Sequence, residues 1–265
     1  MAEPPEHAFT AVDEQDDPSS WIEVLDHVRQ EPAYAAYKRR VAELLQPVRG
    51  GRYLDVGAGT GEEALALASR FAVDVVGIDV SSAMVAEARR RGLRDAVVAS
   101  AEALPFDDAS FDGCWADRVF QHLADPEAAL GEMVRITRPG GRVVVADPDY
   151  DTQVVDVPDQ ELARRVLRFR ADHLLRHGTI AHRMGSLFAR AGLAGVRVEA
   201  APVVLRDPAA LDNAMGLRTW AGVAEKRGLL PAGDGEAWER ALDTAVVDNR
   251  FLYAFTVFLT AGTMP

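Results

Sequence analysis

The alternation of hydrophobic and polar positions changes rhythm along the 265 residues, and the changes divide the chain. From Arg52 onward, short β-branched runs alternate with segments whose apolar residues recur at helical spacing, the pattern of βαβ units around a mostly parallel, doubly wound sheet. Strands are predicted at residues 52–56, 74–79, 95–99, 111–115 and 142–146. Between them, residues 62–70 place Ala64, Leu65, Leu67 and Ala68 on one side of a helix. Residues 82–91 follow a Ser81 N-cap, stop at Gly92 and set three arginines at the negative helix end. Asp125 and Pro126 read as N-cap and first helical residue of a helix running to Arg135, and "RPGGR" (138–142) reads as the turn into the fifth strand.

Beyond Tyr150 the rhythm breaks. "DQELARRVLRFRADHLLRH" is helical and amphipathic, "SLFARAGLAG" ends in helix-stopping glycines, and "VRVEAAPVVLR" and "RFLYAFTVFLTAG" read as strands separated by a helical stretch at about 208–249. No repeat recurs, which excludes a solenoid. The expected organisation is an arm and lid helix at 1–50, a nucleotide-binding core at 51–150, and lid helices with the last two strands at 151–265.

Composition narrows the function classes. A hydrophobic fraction of 48% supports one substantial core. A net charge of -12 argues against a surface made for nucleic acid or anionic lipid, both of which need clustered cations. Cys114 is the single cysteine and reads as a small buried hydrophobe. The acidic, proline-containing start lacks a signal peptide's basic and apolar regions, and no apolar run reaches the roughly 20 residues of a membrane span, so a cytoplasmic, mobile-armed protein with no membrane partner is expected. Lysine occurs only at Lys38 and Lys226 among 29 basic residues, a bias in keeping with a GC-rich genome.

The chemistry begins in "LDVGAGTGEEALA" (54–66). A strand carrying Asp55 and turning through Gly57, Gly59 and Gly61 into a helix lets the backbone approach a nucleotide closely, and Asp79 at the end of the next strand can accept ribose hydroxyls. These features suit NAD and S-adenosylmethionine equally. The dinucleotide fingerprint needs a third glycine where Glu62 stands, and Glu62 and Glu63 occupy the helix start that a pyrophosphate would use, so a ligand without phosphates fits better. A nicotinamide oxidoreductase is further disfavoured because Tyr37 and Lys38, being adjacent, cannot share a helix face.

With "VVGIDVSSAMVAEA" and "ASAEALPFDDASFDGCWADRVFQHLADPEAALGEMVRITRPGGRVVV", this stretch resembles a class I S-adenosylmethionine-dependent methyltransferase, of the small-molecule, ubiquinone/menaquinone-methyltransferase-like type. The resemblance is dense from Arg52 to about Asp147 and loose in the final strands. It implies an α/β fold with a doubly wound, mostly parallel seven-stranded sheet, an antiparallel last strand and helical lid insertions. By position it implies that Gly57, Ala58 and Gly59 lie under the methionine part of S-adenosyl-L-methionine, oriented by Asp55. Asp79 and Val80 fall at the ribose, Met84 against the adenine, and Ser100, Ala101 and Glu102 at the adenine edge, Ser100 standing where the family often has aspartate. Ala116, Asp117, Arg118 and His122 fall at the amino-acid end and the transferable methyl; for Arg118 and His122 a structural hydrogen bond beneath the sheet is the alternative.

Transfer of an activated methyl needs alignment, worth up to about 7 to 11 kcal/mol, and a base only if the acceptor must lose a proton. No ligand-like His, Asp and Glu spacing is apparent, so metal-independent chemistry is expected. The acceptor pocket belongs over the carboxyl ends of the strands, walled by Trp21, Tyr34 and Tyr37, by the segment around His173, His177 and His182, and by the stretch with Met215 and Trp220. Asp149, Tyr150, His177 and His182 are the base candidates. Lys38, Arg39 and Arg40 either cap the cofactor carboxylate or form a solvated charge run. The expectation is a monomeric or homodimeric enzyme of bacterial specialised metabolism methylating O, N or C of a small organic molecule. The alternative is a protein of the same fold that binds the cofactor without methyl transfer, as a binding module or a cyclisation catalyst.

Overall fold

The computed structural model describes residues 13, 21–23, 25–26, 32–208 and 216–265. Most of the N-terminal arm, and Met215, lie outside the described residues.

The alternating runs become β1 (Arg52–Val56), β2 (Asp74–Asp79), β3 (Ala96–Val98), β4 (Phe111–Asp117), β5 (Thr137–Val155), β6 (Ala194–Leu205) and β7 (Tyr253–Thr263). They form one sheet in the order β3-β2-β1-β4-β5-β7-β6. β1 to β5 pair in parallel, and β7 runs antiparallel between β5 and β6. The direction of winding reverses between β1 and β4, which is where open sheets of this kind leave a crevice for ligands.

Strand alternation divides the apolar side chains between two layers. Tyr53, Trp115, Val144 and Ala146 face a layer built from α1 (Pro32–Leu45), α2 (Glu62–Phe71) and α3 (Ser82–Arg91). Leu54, Cys114, Ala116, Val143 and Val145 face α4 (Pro126–Ile136) and α6 (Met184–Arg190). The caps hold as the spacing predicts: Ser81 accepts from Met84 N, and Asp125 accepts from Glu127 N and Ala128 N ahead of Pro126.

Three boundaries differ from the sequence pattern. β5 extends to 19 residues and takes in both "RPGGR" and "ADPDYD", because β7 pairs along it from Arg142 to Val155 and Gly140 N donates to Met264 O. The amphipathic helix ends as α5 (Gln160–Phe169) and continues as a π-turn over Arg170–Leu174. Gly178, just past that turn, lies so close to Ala171 O that a Cβ would sit 2.3 Å from it. The last helical stretch is split into α7 (Trp220–Lys226) and α8 (Asp234–Val247).

Cys114 lies in the second layer with its Sγ 3.4 Å from Thr137 Oγ1, and burial pushes its thiol up to about 12. The native protein should therefore resist iodoacetamide at pH 8 and react only once unfolded, a difference read directly by mass spectrometry. Rapid native alkylation would contradict this packing.

Candidate functional site

The turn after β1 is held by backbone geometry. Gly57 has φ +73, and a Cβ there would lie 2.4 Å from Val119 Cγ2, so the turn also sets how closely the segment after β4 approaches. Ala58 N donates to Ile78 O at 2.8 Å and Gly59 N to Asp79 Oδ2 at 2.8 Å, tying the turn to the end of β2. Gly61 has φ +77, and a Cβ there would meet Ala88 Cβ and Leu93 Cδ2 at 3.0 Å. The close packing that a dinucleotide site obtains from its third glycine is thus obtained here from Gly61. Glu62 and Glu63 then enter ion pairs, with Arg91 at 2.9 Å and with Lys38 at 2.6 Å.

Asp55 and Asp79 lie at the ends of β1 and β2. Burial raises the Asp55 pKa well above the ordinary carboxylate range, with Glu63 and Asp117 adding to it. Asp79 is raised by burial, while the N–H groups of Ser81 and Gly59 pull it down. Val80 beside it is 52% exposed, whereas Met84 is packed inside, so Val80 presents the open apolar surface at this point. Asp13 reaches the same corner from the arm, accepting from Ser81 Oγ, Ser82 N and Ala83 N; the Ser81 bond holds its carboxyl at about 2.

Ser100 Oγ accepts from Glu102 N, and Ala101 is buried. The Glu102 carboxylate accepts from Ala124 N and Asp125 N, so this side chain pins the segment ahead of α4. Past buried Ala116, Asp117 accepts from Tyr37 Oη at 3.1 Å, a contact from α1 that sequence spacing does not disclose. Arg118 takes the left-handed conformation, φ +60, and donates its N–H to Ala146 O. Its Nε is buried without a hydrogen-bond partner. His122 N donates to Val119 O within a 3₁₀ turn. Of the cationic run on α1, Lys38 pairs with Glu63 and Arg40 holds Glu199 of β6 through two bonds of 2.7 Å, a clamp between elements.

The four base candidates separate. Asp149 and Tyr150 are consecutive on β5 and point to opposite faces. Asp149 is 1% exposed and accepts from Asp151 N, from His182 N and, at 2.6 Å, from His182 Nδ1, while the His182 side chain is 49% exposed. The structure therefore pairs Asp149 with His182, a buried acid orienting a half-exposed imidazole. Tyr150 is buried under the Arg170 guanidinium. His177 Nε2 is buried without a partner, and burial lowers the His177 pKa. Asp149, Asp151 and His182 also bring one possible metal-ligand atom each within 4.8 Å of one another. Asp147, which the sequence does not single out, is buried on the Asp149 face and accepts from Phe120 N and Gln121 N.

The residues fit an adenosyl cofactor: a glycine turn with room at the backbone, Asp79 held at the tip of β2, and Asp117 at the tip of β4. Residues 54–145 match the family model described as a methyltransferase domain. Those residues form a methyltransferase domain. The chain is 35% identical over 223 residues to an uncharacterised 37.1 kDa protein of a Streptomyces fradiae transposon, covering 82% of this chain and 65% of that protein. It is 36% identical over 138 residues to the demethylmenaquinone methyltransferase of Renibacterium salmoninarum, covering 52% of this chain and 58% of that enzyme. It thus spans less than two thirds of either relative. Among solved structures it is similar to the (4+2)-cyclase SpnF, with 26% identity, TM-score 0.53 and coverage of 87% and 81% of the two chains. No helix among the described residues is long and apolar enough to cross a membrane.

Two outcomes test this geometry. Gly57→Ala places a methyl against Val119 at a positive φ, and should destabilise the protein by about 2 kcal/mol or more in urea unfolding and weaken S-adenosylhomocysteine binding. Burial raises Asp147 to about 8, against the N–H bonds of Gln121 and Phe120. Its folded pKa lies above its unfolded one, so its contribution is full below about pH 4 and is lost as pH rises through about 8. Stability should fall across that window, and Asp147→Asn should flatten the fall. An unchanged slope in the variant would refute the assignment.

Proposed function

We propose that this methyltransferase moves a methyl group to an oxygen, nitrogen or carbon of a small organic molecule in bacterial specialised metabolism, without a metal, working in the cytoplasm as a monomer or homodimer. Bound S-adenosylmethionine supplies a methyl group already activated by its sulfonium. The residues at the strand ends are assigned the work of holding it. Gly57, Ala58 and Gly59 admit the methionine part, with Asp55 behind the turn; Asp79 takes the ribose hydroxyls; Val80, Met84, Ser100, Ala101 and Glu102 flank the adenine; and Ala116, Asp117, Arg118 and His122 lie toward the methyl. Asp117 is poised for the cofactor ammonium, exchanging its bond to Tyr37 Oη. The domain division is proposed on the same footing, with 51–150 holding the cofactor and the flanking segments shaping the acceptor site.

The observation that favours transfer over simple retention of the cofactor is the 2.6 Å pairing of His182 Nδ1 with Asp149. It fixes the imidazole so that Nε2 is free to take the acceptor's proton, while the buried carboxylate steadies the cation that results. His177 and Tyr150, on this reading, shape the surroundings. Glu102 acts through its backbone and its hold on Ala124 and Asp125.

A second reading, cyclisation or rearrangement within a shaped cavity, is favoured by the similarity to a (4+2)-cyclase. Stoichiometric S-adenosylhomocysteine separates the two: transfer requires it, cyclisation does not. With an acceptor in hand, His182→Ala and Asp149→Asn should each lower kcat by about 10²-fold or more while leaving cofactor affinity near wild type. Asp79→Ala should instead weaken cofactor binding about 10- to 100-fold in calorimetry. EDTA should leave turnover unchanged, and a loss restored by a divalent ion would replace the base with a metal at Asp149, Asp151 and His182.

A further inference from the structure

β6 (Ala194–Leu205) is the outermost strand of the sheet and pairs with β7 alone, without a break from Arg197 opposite Ala261 to Leu205 opposite Tyr253. Which backbone groups it leaves over follows from a bond on the far side of β7. Thr256 N donates to Thr152 Oγ1 at 2.8 Å, toward β5 and away from β6, so Thr256 gives no N–H to Pro202 opposite it. Proline has no N–H to give in return. Pro202 therefore turns its backbone away from β7, and by the two-residue alternation of the ladder so do Val198, Ala200 and Val204. An edge whose N–H and C=O groups point outward in this way is a template for a further strand.

The side chains along the edge differ by face. Arg197 and Glu199 lie on the α1 side, where two bonds of 2.7 Å from Arg40 hold Glu199. Val198 lies on the α6 side, where Gly185 leaves it room: a Cβ on Gly185 would stand 3.0 Å from Val198 Cγ2. Val198 is nonetheless 50% exposed, and Val204 on the same face 46%. Lysines commonly guard such edges, and none stands between residues 194 and 205. Pro202 and the register shift between Ala194 and Arg197 bound the usable stretch at its two ends.

Within that stretch the order Arg197, Val198, Glu199 is complementary to itself. In an antiparallel pair, residues directly opposite share a face. With a twofold axis at Val198, Val198 meets Val198, and Arg197 of each copy lies opposite Glu199 of the other. These charge pairs fall at the positions without hydrogen bonds, where opposed side chains are closest. The neighbouring registers are worse. An axis at Arg197 sets arginine against arginine, one at Glu199 sets glutamate against glutamate, and one at Ala200 sets Val198 N–H against a proline.

We propose that the protein forms a homodimer through β6, its edge pairing antiparallel with that of a second copy about a twofold axis at Val198, so that two seven-stranded sheets become one. A second copy is the occupant because the edge carries its own charge complement. This narrows the oligomeric reading given above and is independent of methyl transfer. β5 and β7 stand between this edge and the ends of β1 and β4, so each copy keeps its own site.

The test is sedimentation of the full chain from about 1 to 100 μM, a range that brackets micromolar association. At the upper end the wild type should sediment with twice the 28.7 kDa chain mass. Arg197→Glu and Glu199→Arg each set like charges opposite one another and should each weaken the dimer about tenfold or more. An equimolar mixture of the two should recover it, since one variant then offers two acids to the other's two arginines. Glu199→Arg also gives up the bonds to Arg40; should it fail to fold, Val198→Lys, at an exposed position, should dissociate the dimer by placing two ammonium groups on the axis. Amide exchange at Val198 should slow as concentration rises through the transition. A wild type that remains monomeric over the whole range, a dimer indifferent to Arg197→Glu and Val198→Lys, or folded charge variants that do not associate when mixed would overturn the inference. Arg197→Glu should leave S-adenosylhomocysteine affinity within about twofold, so failure of the dimer and failure of the cofactor reading are read separately.

Discussion

The arrangement of this protein depends on one steric constraint, the absence of side chains at the turn that leaves β1. At Gly57 a Cβ would drive into Val119 and at Gly61 into Ala88 and Leu93, so the turn can lie against the segment after β4 on one side and against α3 and the loop that follows it on the other. That closeness lets Gly59 N reach Asp79 and Ala58 N reach Ile78 O. The end of β2 is thereby held at a fixed distance from the end of β1, and the candidate site is assembled from backbone more than from side chains. Charge plays a supporting part: Arg91 draws Glu62, Glu87 and Asp26 together around the start of α2, and Lys38 holds Glu63 from α1.

From that fixed corner the chemistry divides according to the two-residue period of β5. Asp147 and Asp149 look to the layer of α4 and α6, where the first receives two backbone N–H groups and the second holds His182. Tyr150, one residue further, looks to the layer of α1, where Arg170, Trp220 and Tyr34 collect. The Asp149–His182 pair and the rings around Arg170 are therefore kept on opposite sides of one strand.

The candidate site was readable in the sequence wherever function is carried by contiguous residues in a local turn. The glycine turn, Asp55, Asp79 and the segment from Ala116 to His122 stand where their spacing places them, because strand, turn and helix start are local structures with local signals. Two side chains of that reading also tie distant segments together. Glu102 was placed at the adenine edge by resemblance, yet its carboxylate is occupied by Ala124 N and Asp125 N, a contact across 22 residues that no local pattern encodes. Arg40, read as part of a charge run, is bound to Glu199 of β6, 159 residues away.

What the sequence determined by itself is the order of strands and helices, the glycine turn and a short list of candidate residues around it. Periodicity, capping residues and glycine spacing act over a few residues and survive without knowledge of the fold. Only the tertiary structure decided which members of that list meet. It joined Asp149 to His182 and sent Tyr150 to the other face, and it lengthened β5 because β7 pairs along it. It also surrounded Arg170 with rings drawn from α1, α7, β5 and β7. Contacts between distant segments depend on how whole layers pack, and packing rewards shape and charge at positions that need share no spacing along the chain.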